Sequence, residues 1–186
     1  ALIRRIILEA FPDHSIVSEE NEPERGNEFF WYVDPLDGTT NYTRHVSYFC
    51  VSIALMKGKE LLVGVIYNPV TSELYTAKAG EGAFLNGKAL KTSNASDLAQ
   101  SFVCMDFSYD NAERQRAAAV LKRLVLSVKS IRVKGSGALA SCEVASGKAE
   151  GYVRRGSTPG DYAAGALIIR EAGGTVTDLD GKEWEP

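Results

Sequence analysis

Two aspartates three residues apart, Asp34 and Asp37, sit in the stretch Asp34-Pro35-Leu36-Asp37-Gly38-Thr39-Thr40. The apolar residues 29–33 lead into it and read as a strand that stops in a Pro/Asp/Gly turn. A turn of that kind delivers both carboxylates, and any backbone carbonyl between them, to one point. An oxygen-only cluster of this sort suits a hard divalent cation such as Mg²⁺. The Gly38 and Thr39 amides and the Thr39 hydroxyl follow at once, placed to hold an oxyanion beside the metal. Asp-Pro and Asp-Gly are also ordinary turn chemistry, so the stretch alone leaves a plain turn open. An EF-hand loop is excluded, because its third, fifth and twelfth positions would be Leu36, Gly38 and His45.

Two further acidic positions extend the set. Glu19-Glu20 lies upstream, one short strand and loop away, where a glutamate can bind a metal and take a proton from its water. A solvated acidic loop is the competing reading. Asp161 opens Gly160-Asp161-Tyr162-Ala163-Ala164-Gly165. It reads either as a helix N-cap or as a ligand from the second half of the chain, brought close because the residues behind it are small.

The elements that must position these residues change character along the chain. An amphipathic helix runs up to Pro12, and residues 15–17 form a short strand candidate. Residues 18–28 read as acidic and polar loop. Strands at 48–56, 61–67, 73–77 and 83–85, separated by Gly and Pro turns, make an antiparallel meander. Beyond residues 92–100 helix and strand alternate: strands at 101–105, 130–133, 149–153 and 175–177, helices at 111–126, 137–145 and 161–172. The expected organisation is a metal-binding α+β lobe over residues 1–95 and an α/β lobe over residues 96–186. Both ends of the sequence look cut through structure, as in a fragment of a longer chain.

Composition narrows the class. The 186 residues are 45% apolar and 24% charged, with a net charge of −3. That is an ordinary soluble globular balance, with no electrostatic case for nucleic acid or an anionic membrane. The apolar runs are too short to span a bilayer. Cys50, Cys104 and Cys142 are dispersed and odd in number. They read as small buried hydrophobes in a reducing, cytoplasmic setting.

Residues 31–42, Trp-Tyr-Val-Asp-Pro-Leu-Asp-Gly-Thr-Thr-Asn-Tyr, resemble the first signature of the inositol monophosphatase family. Asp161-Tyr162-Ala163-Ala164-Gly165 followed by Glu171-Ala172-Gly173-Gly174 resembles its second, with Gly160 where a Trp is usual. Ser18-Glu19-Glu20 and residues 82–87 fit as well. The resemblance implies an α+β fold, a layered αβαβα sandwich of the sugar phosphatase type, here without its N-terminal helices. It implies a homodimer that hydrolyses small phosphate monoesters with two or three Mg²⁺ ions, Mn²⁺ being a substitute, and that is sensitive to lithium. Carried over by position, Glu19, Asp34 and the Leu36 carbonyl hold one metal, and Asp34, Asp37 and Asp161 a second. Thr39 with Glu19 activates the attacking water, the Gly38 and Thr39 amides hold phosphate oxygens, and Gly135 and Ser136 touch the substrate.

Arg154 departs from the resemblance, which implies a Glu at that position in inositol-selective members. Arg favours a second anionic group, although a solvated strand end is the plain alternative. The expected activity is therefore an inositol-phosphate type phosphatase acting on a small phosphorylated polyol or sugar. A fructose-1,6-bisphosphatase or a 3′(2′),5′-bisphosphate nucleotidase on the same scaffold is the alternative. A catalytically weak regulatory protein that keeps the fold is the rival from another class.

Overall fold

The structure is a computed structural model and describes residues 2–18, 28–156 and 159–185. Glu19, Glu20 and the rest of the expected acidic loop up to residue 27 lie outside the described residues. The element order is α1 (Leu2–Ala10), β1 (Ser15–Ser18), β2 (Phe29–Asp37), α2 (Thr39–Thr43), β3 (Cys50–Lys57), β4 (Glu60–Asn68), β5 (Glu73–Lys78), β6 (Gly82–Leu85) and β7 (Lys88–Ala89). It continues with β8 (Phe102–Asp106), α3 (Asn111–Leu124), β9 (Ser130–Arg132), α4 (Gly137–Ala145), β10 (Gly151–Arg154) and α5 (Pro159–Glu171).

The strands form two sheets. Strands β1 to β7 lie in sequence order, β1 parallel to β2 and every later pair antiparallel. The second sheet is parallel throughout, in the order β10-β8-β9. The expected meander is therefore present, lengthened by β7.

Apolar alternation explains the layering. Along β3 every second residue is buried, and Cys50, Ala54 and Met56 join Ile66 of β4 and Tyr75 of β5 in the main core. Helices α4 and α5 cover that face with Leu139, Cys142, Ala163, Ala164, Leu167 and Ile168. On the other side of α4, Ala140 packs with Cys104 of β8 and Ala149, which joins the second sheet to the same helix layer. Ile7 of α1 closes a smaller cluster with Ile16 and Val33. This is an α+β sandwich.

Small residues set the spacing of the middle layer. A Cβ on Gly64 would lie 2.8 Å from the Ala164 carbonyl, and one on Gly165 would lie 2.6 Å from the Cβ of Ser141. Helix α5 thus presses directly on β4 and on α4, and that proximity fixes where its first turn, with Asp161, emerges.

Three expectations need correction. The first strand does not stop before the Asp-Pro turn: β2 runs on through Asp34 and Pro35 to Asp37. Its pairing with β1 runs to Val33, so among the described residues Pro35 has no β1 partner to miss its absent N–H. The register against β3 shifts between Asp34 and Asp37, and this irregularity lets both side chains serve one end of the strand. Secondly, α5 begins at Pro159, so Asp161 lies inside its first turn and is not its N-cap. Thirdly, residues 175–177 form no strand. They contribute only the isolated bridge Thr177–Glu183.

Candidate active site

A cleft of about 650 Å³ opens where β2 ends. It is lined by Asp34, Leu36, Asp37, Gly38 and Thr39 from the first sheet's edge and by Asp161 from α5. Asp106, Lys134, Gly135 and Arg154 line it from the second sheet and the loop before α4. The volume lies within the usual range for small-molecule sites.

Asp34 is 7% exposed, and its Oδ1 accepts the Leu36 amide at 2.9 Å. Asp37 is tied on one oxygen only. Its Oδ2 accepts the Ser136 hydroxyl, the Ala138 amide and the Cys50 thiol. Among the described residues Oδ1 receives no hydrogen bond. Burial pushes the Asp37 carboxyl above its usual range, only partly offset by the Ser136 and Ala138 bonds, and the nearby charge of Asp161 pushes the same way. Two like charges facing one cleft, one with an uncommitted oxygen, are stabilised by a cation.

Gly38 turns the chain from β2 into α2. Its φ is 90°, and a Cβ there would stand 2.9 Å from the Tyr48 carbonyl, so only glycine fits. Thr39 and Thr40 follow as the first residues of a helix, whose leading amides have no partner within it. The Thr39 hydroxyl donates to the Leu36 carbonyl at 2.9 Å. That bond fixes the hydroxyl proton and leaves the oxygen's lone pairs as acceptors.

Residues that the sequence reading did not single out share the far wall with Gly135 and Arg154. Asp106 is 6% exposed and accepts the Gly135 amide at 2.9 Å. Burial raises its carboxyl above the usual range. Lys134 pairs with Glu143 at 2.7 Å. The Asn41 side-chain amide donates to the Tyr48 carbonyl at 2.8 Å and to the Lys134 carbonyl at 2.7 Å, which pins the 134–136 loop to α2.

Of the expected site residues, Asp34, Leu36, Asp37, Gly38, Thr39, Gly135, Arg154 and Asp161 all line this cleft. Ser136 does not. It is 1% exposed, and its hydroxyl is spent on Asp37 and on the Leu139 amide at the start of α4. Its role is therefore to position Asp37 rather than to meet a ligand. The Gly135 amide is likewise already held by Asp106.

Carboxylates and backbone carbonyls are hard oxygen ligands, the kind that Mg²⁺ takes. The uncommitted Asp37 oxygen and the second lone pair of the Leu36 carbonyl fit it. Among the described residues no group of three His, Cys, Asp or Glu side chains is arranged so that it could hold a metal ion by itself, and Glu19 lies outside them.

A family model described as "Inositol monophosphatase family" matches residues 1–186. The chain belongs to the inositol monophosphatase family. It is 40% identical to Inositol monophosphatase 2 of Solanum lycopersicum over 99% of its own length and 73% of that protein. It is 39% identical to Nus factor SuhB of Pasteurella multocida, covering 96% of this chain and 68% of that one. The structure of inositol monophosphatase from Anabaena (Nostoc) sp. PCC 7120 superposes with a TM-score of 0.94 at 40% identity. The match covers 98% of this chain and 74% of that one. The inositol monophosphatase fold thus accounts for the paired sheets and for the cleft between them. Among the described residues no helix is long and apolar enough to cross a membrane.

Proposed function

We propose that this cleft hydrolyses the phosphate monoester of a small polyol, sugar or nucleotide, with Mg²⁺ as cofactor. The observation that carries the reading is the meeting of Asp34, Asp37 and Asp161 in one cleft beside the leading amides of α2. Acids from β2 and α5, far apart in sequence, have no structural need to converge there.

In this reading Glu19, Asp34 and the Leu36 carbonyl hold one ion, and Asp34, Asp37 and Asp161 a second. Two or three Mg²⁺ ions, or Mn²⁺ in their place, would offset the phosphate charge and lower the pKa of a bound water. Thr39, its proton committed to Leu36, accepts a hydrogen bond from the attacking water and so orients it, with Glu19 as the base that takes the proton. The Gly38 and Thr39 amides face the phosphate oxygens. Asp37 is kept in place by Ser136 and Ala138. Lithium inhibition, a homodimeric state and a cytoplasmic location belong to the same proposal.

The relative named Nus factor marks the rival reading, a protein that keeps the fold for another role. The complete set of acids favours the enzyme, because a scaffold would not need buried carboxylates facing an open cleft. Phosphate release from inositol 1-phosphate, with and without Mg²⁺, tests the reading. Asp34→Asn is expected to lower the rate roughly a hundredfold, the scale of losing one preorganised electrostatic group. A folded Asp34→Asn protein that works at the parental rate would overturn it.

A further inference from the structure

Arg154 ends β10 in register with Asp106 at the end of β8, and both line the cleft. Residues in register on neighbouring parallel strands share a face, so an ion pair between them would be the simple outcome. None forms within 4 Å. Asp106 instead spends Oδ1 on the Gly135 amide. The next residue, Arg155, does find an acid, Glu113, at 2.9 Å.

Arg154 is left in an unusual state. Its Nε is buried without a hydrogen-bond partner, and so is the hydroxyl of Tyr152, two residues earlier on the same strand. Both crowd Gly137, another residue of the cleft wall. A Cβ there would lie 2.6 Å from the Tyr152 hydroxyl and 3.5 Å from a terminal nitrogen of Arg154. The Tyr162 ring, 6.0 Å from the guanidinium carbon, offers a cation–π contact. An unsatisfied buried donor on a cationic group costs free energy that a ligand can recover. The guanidinium fork matches the oxygens of phosphate and carboxylate. The other cation of the cleft, Lys134, is already paired with Glu143, so less of its charge is open to a ligand.

We propose that Arg154 binds a second anionic group of the substrate, a phosphate or a carboxylate, distinct from the ester that is cut. The cleft then prefers doubly anionic small molecules to monophosphates with a neutral remainder. The carboxylates that share the cleft do not cancel this preference once their charge is taken up by bound cations. The inference rests on the phosphomonoesterase reading above.

Two substrate pairs, each differing in one anionic group, test it in Mg²⁺. They are fructose 1,6-bisphosphate against fructose 1-phosphate, and 2-phosphoglycerate against glycerol 2-phosphate. The kcat/KM ratio within at least one pair is expected to favour the more anionic member by roughly tenfold or more. The first pair reports a phosphate and the second a carboxylate as the group bound. In Arg154→Gln the ratio should fall to about unity, and Arg154→Lys should restore part of it. No preference in the parental protein, or a preference that survives in Arg154→Gln, overturns the proposal. Thermal shifts by the same four compounds give a readout independent of turnover. A shift preference that depends on Arg154, without hydrolysis of any ester, sinks the enzyme reading and supports the binding role of Arg154. Hydrolysis without any Arg154-dependent preference sinks this proposal alone, and four compounds that neither react nor shift the melting point sink both.

Discussion

Asp37 and Ala138 are 101 residues apart in sequence, yet the Ala138 amide donates to Asp37 Oδ2 at 2.9 Å. The end of β2 is thereby joined to the first turn of α4, where an N-terminal amide and the helix dipole both favour a negative charge. Asp37 has two separable duties, one structural through Oδ2 and one toward the cleft through Oδ1. Asp37→Ala leaves the Ser136 hydroxyl and the Ala138 amide without an acceptor. It should lower the unfolding free energy in EDTA by about 1–3 kcal/mol. Asp37→Asn keeps an amide oxygen for those donors and should lower it by clearly less. Both variants should lose most of the Mg²⁺-dependent rise in melting temperature. Equal destabilisation by Asn and Ala in urea melts would show that Oδ2 does not carry the joint.

Asp106 yields a pH prediction. Burial raises its folded carboxyl pKa above the unfolded value, so the folded state holds the proton more tightly than the unfolded chain does. The resulting stability is fully present below the unfolded pKa and is lost as pH rises through the folded one. Asp106→Asn does not titrate, and its amide oxygen can still accept the Gly135 amide. Without metal, the parental protein should therefore lose stability relative to Asp106→Asn as pH rises from about 4 through the raised carboxyl's range. Urea melts of both proteins across that range measure the difference. A difference that stays flat, or grows in the parental protein's favour with pH, contradicts the assignment.

The first wall of the cleft could be read from sequence because its parts are contiguous: Asp34, Leu36, Asp37, Gly38 and Thr39 fall within six residues. The small residues behind Asp161 also announced a close-packed helix. The second wall could not be read that way. Asp106 and Arg154 meet only through the register of β8 with β10, which is a long-range pairing. Lys134 and Asn41 meet through one loop contact. The shift in β2 between Asp34 and Asp37 appears only in its register against β3, which is again a pairing between strands. One local signal was available and overlooked: a proline two residues before Asp161 suits the first position of a helix, and α5 does start there. Residues 175–177 have strand-like side chains, but a strand needs a neighbour, and only Thr177 finds a bridge.

Gly165 measures how tightly the middle layer must pack. An alanine Cβ there would meet the Ser141 Cβ at 2.6 Å, so α4 and α5 would have to separate. Overpacking of this kind costs typically about 1–3 kcal/mol. Because Asp161 sits in the first turn of the same helix, Gly165→Ala should lower both the melting temperature and the affinity for Mn²⁺ measured by calorimetry. Ser141→Gly removes the opposing atom, and in the double variant it should restore part of both. A Gly165→Ala protein with parental melting and Mn²⁺ binding would mean that α5 is not held by this contact.

Glu171 gives the converse case, a residue of the second motif with a purely structural duty. Its Oε1 accepts the Gly80 amide and its Oε2 the Gly82 amide, each at 2.8 Å. The last residue of α5 thus clasps the turn between β5 and β6, at the opposite end of the helix from Asp161. Two charge-assisted bonds to backbone amides, one exposed and one partly buried, should together be worth about 1–3 kcal/mol. Glu171→Gln retains one acceptor oxygen and should lose roughly half of that, whereas Glu171→Ala should lose nearly all. At a temperature where all three proteins are folded, kcat/KM should stay within about threefold of the parental value. A hundredfold loss of turnover in folded Glu171→Ala would instead place Glu171 in the chemistry, and the clasp would not be its main role.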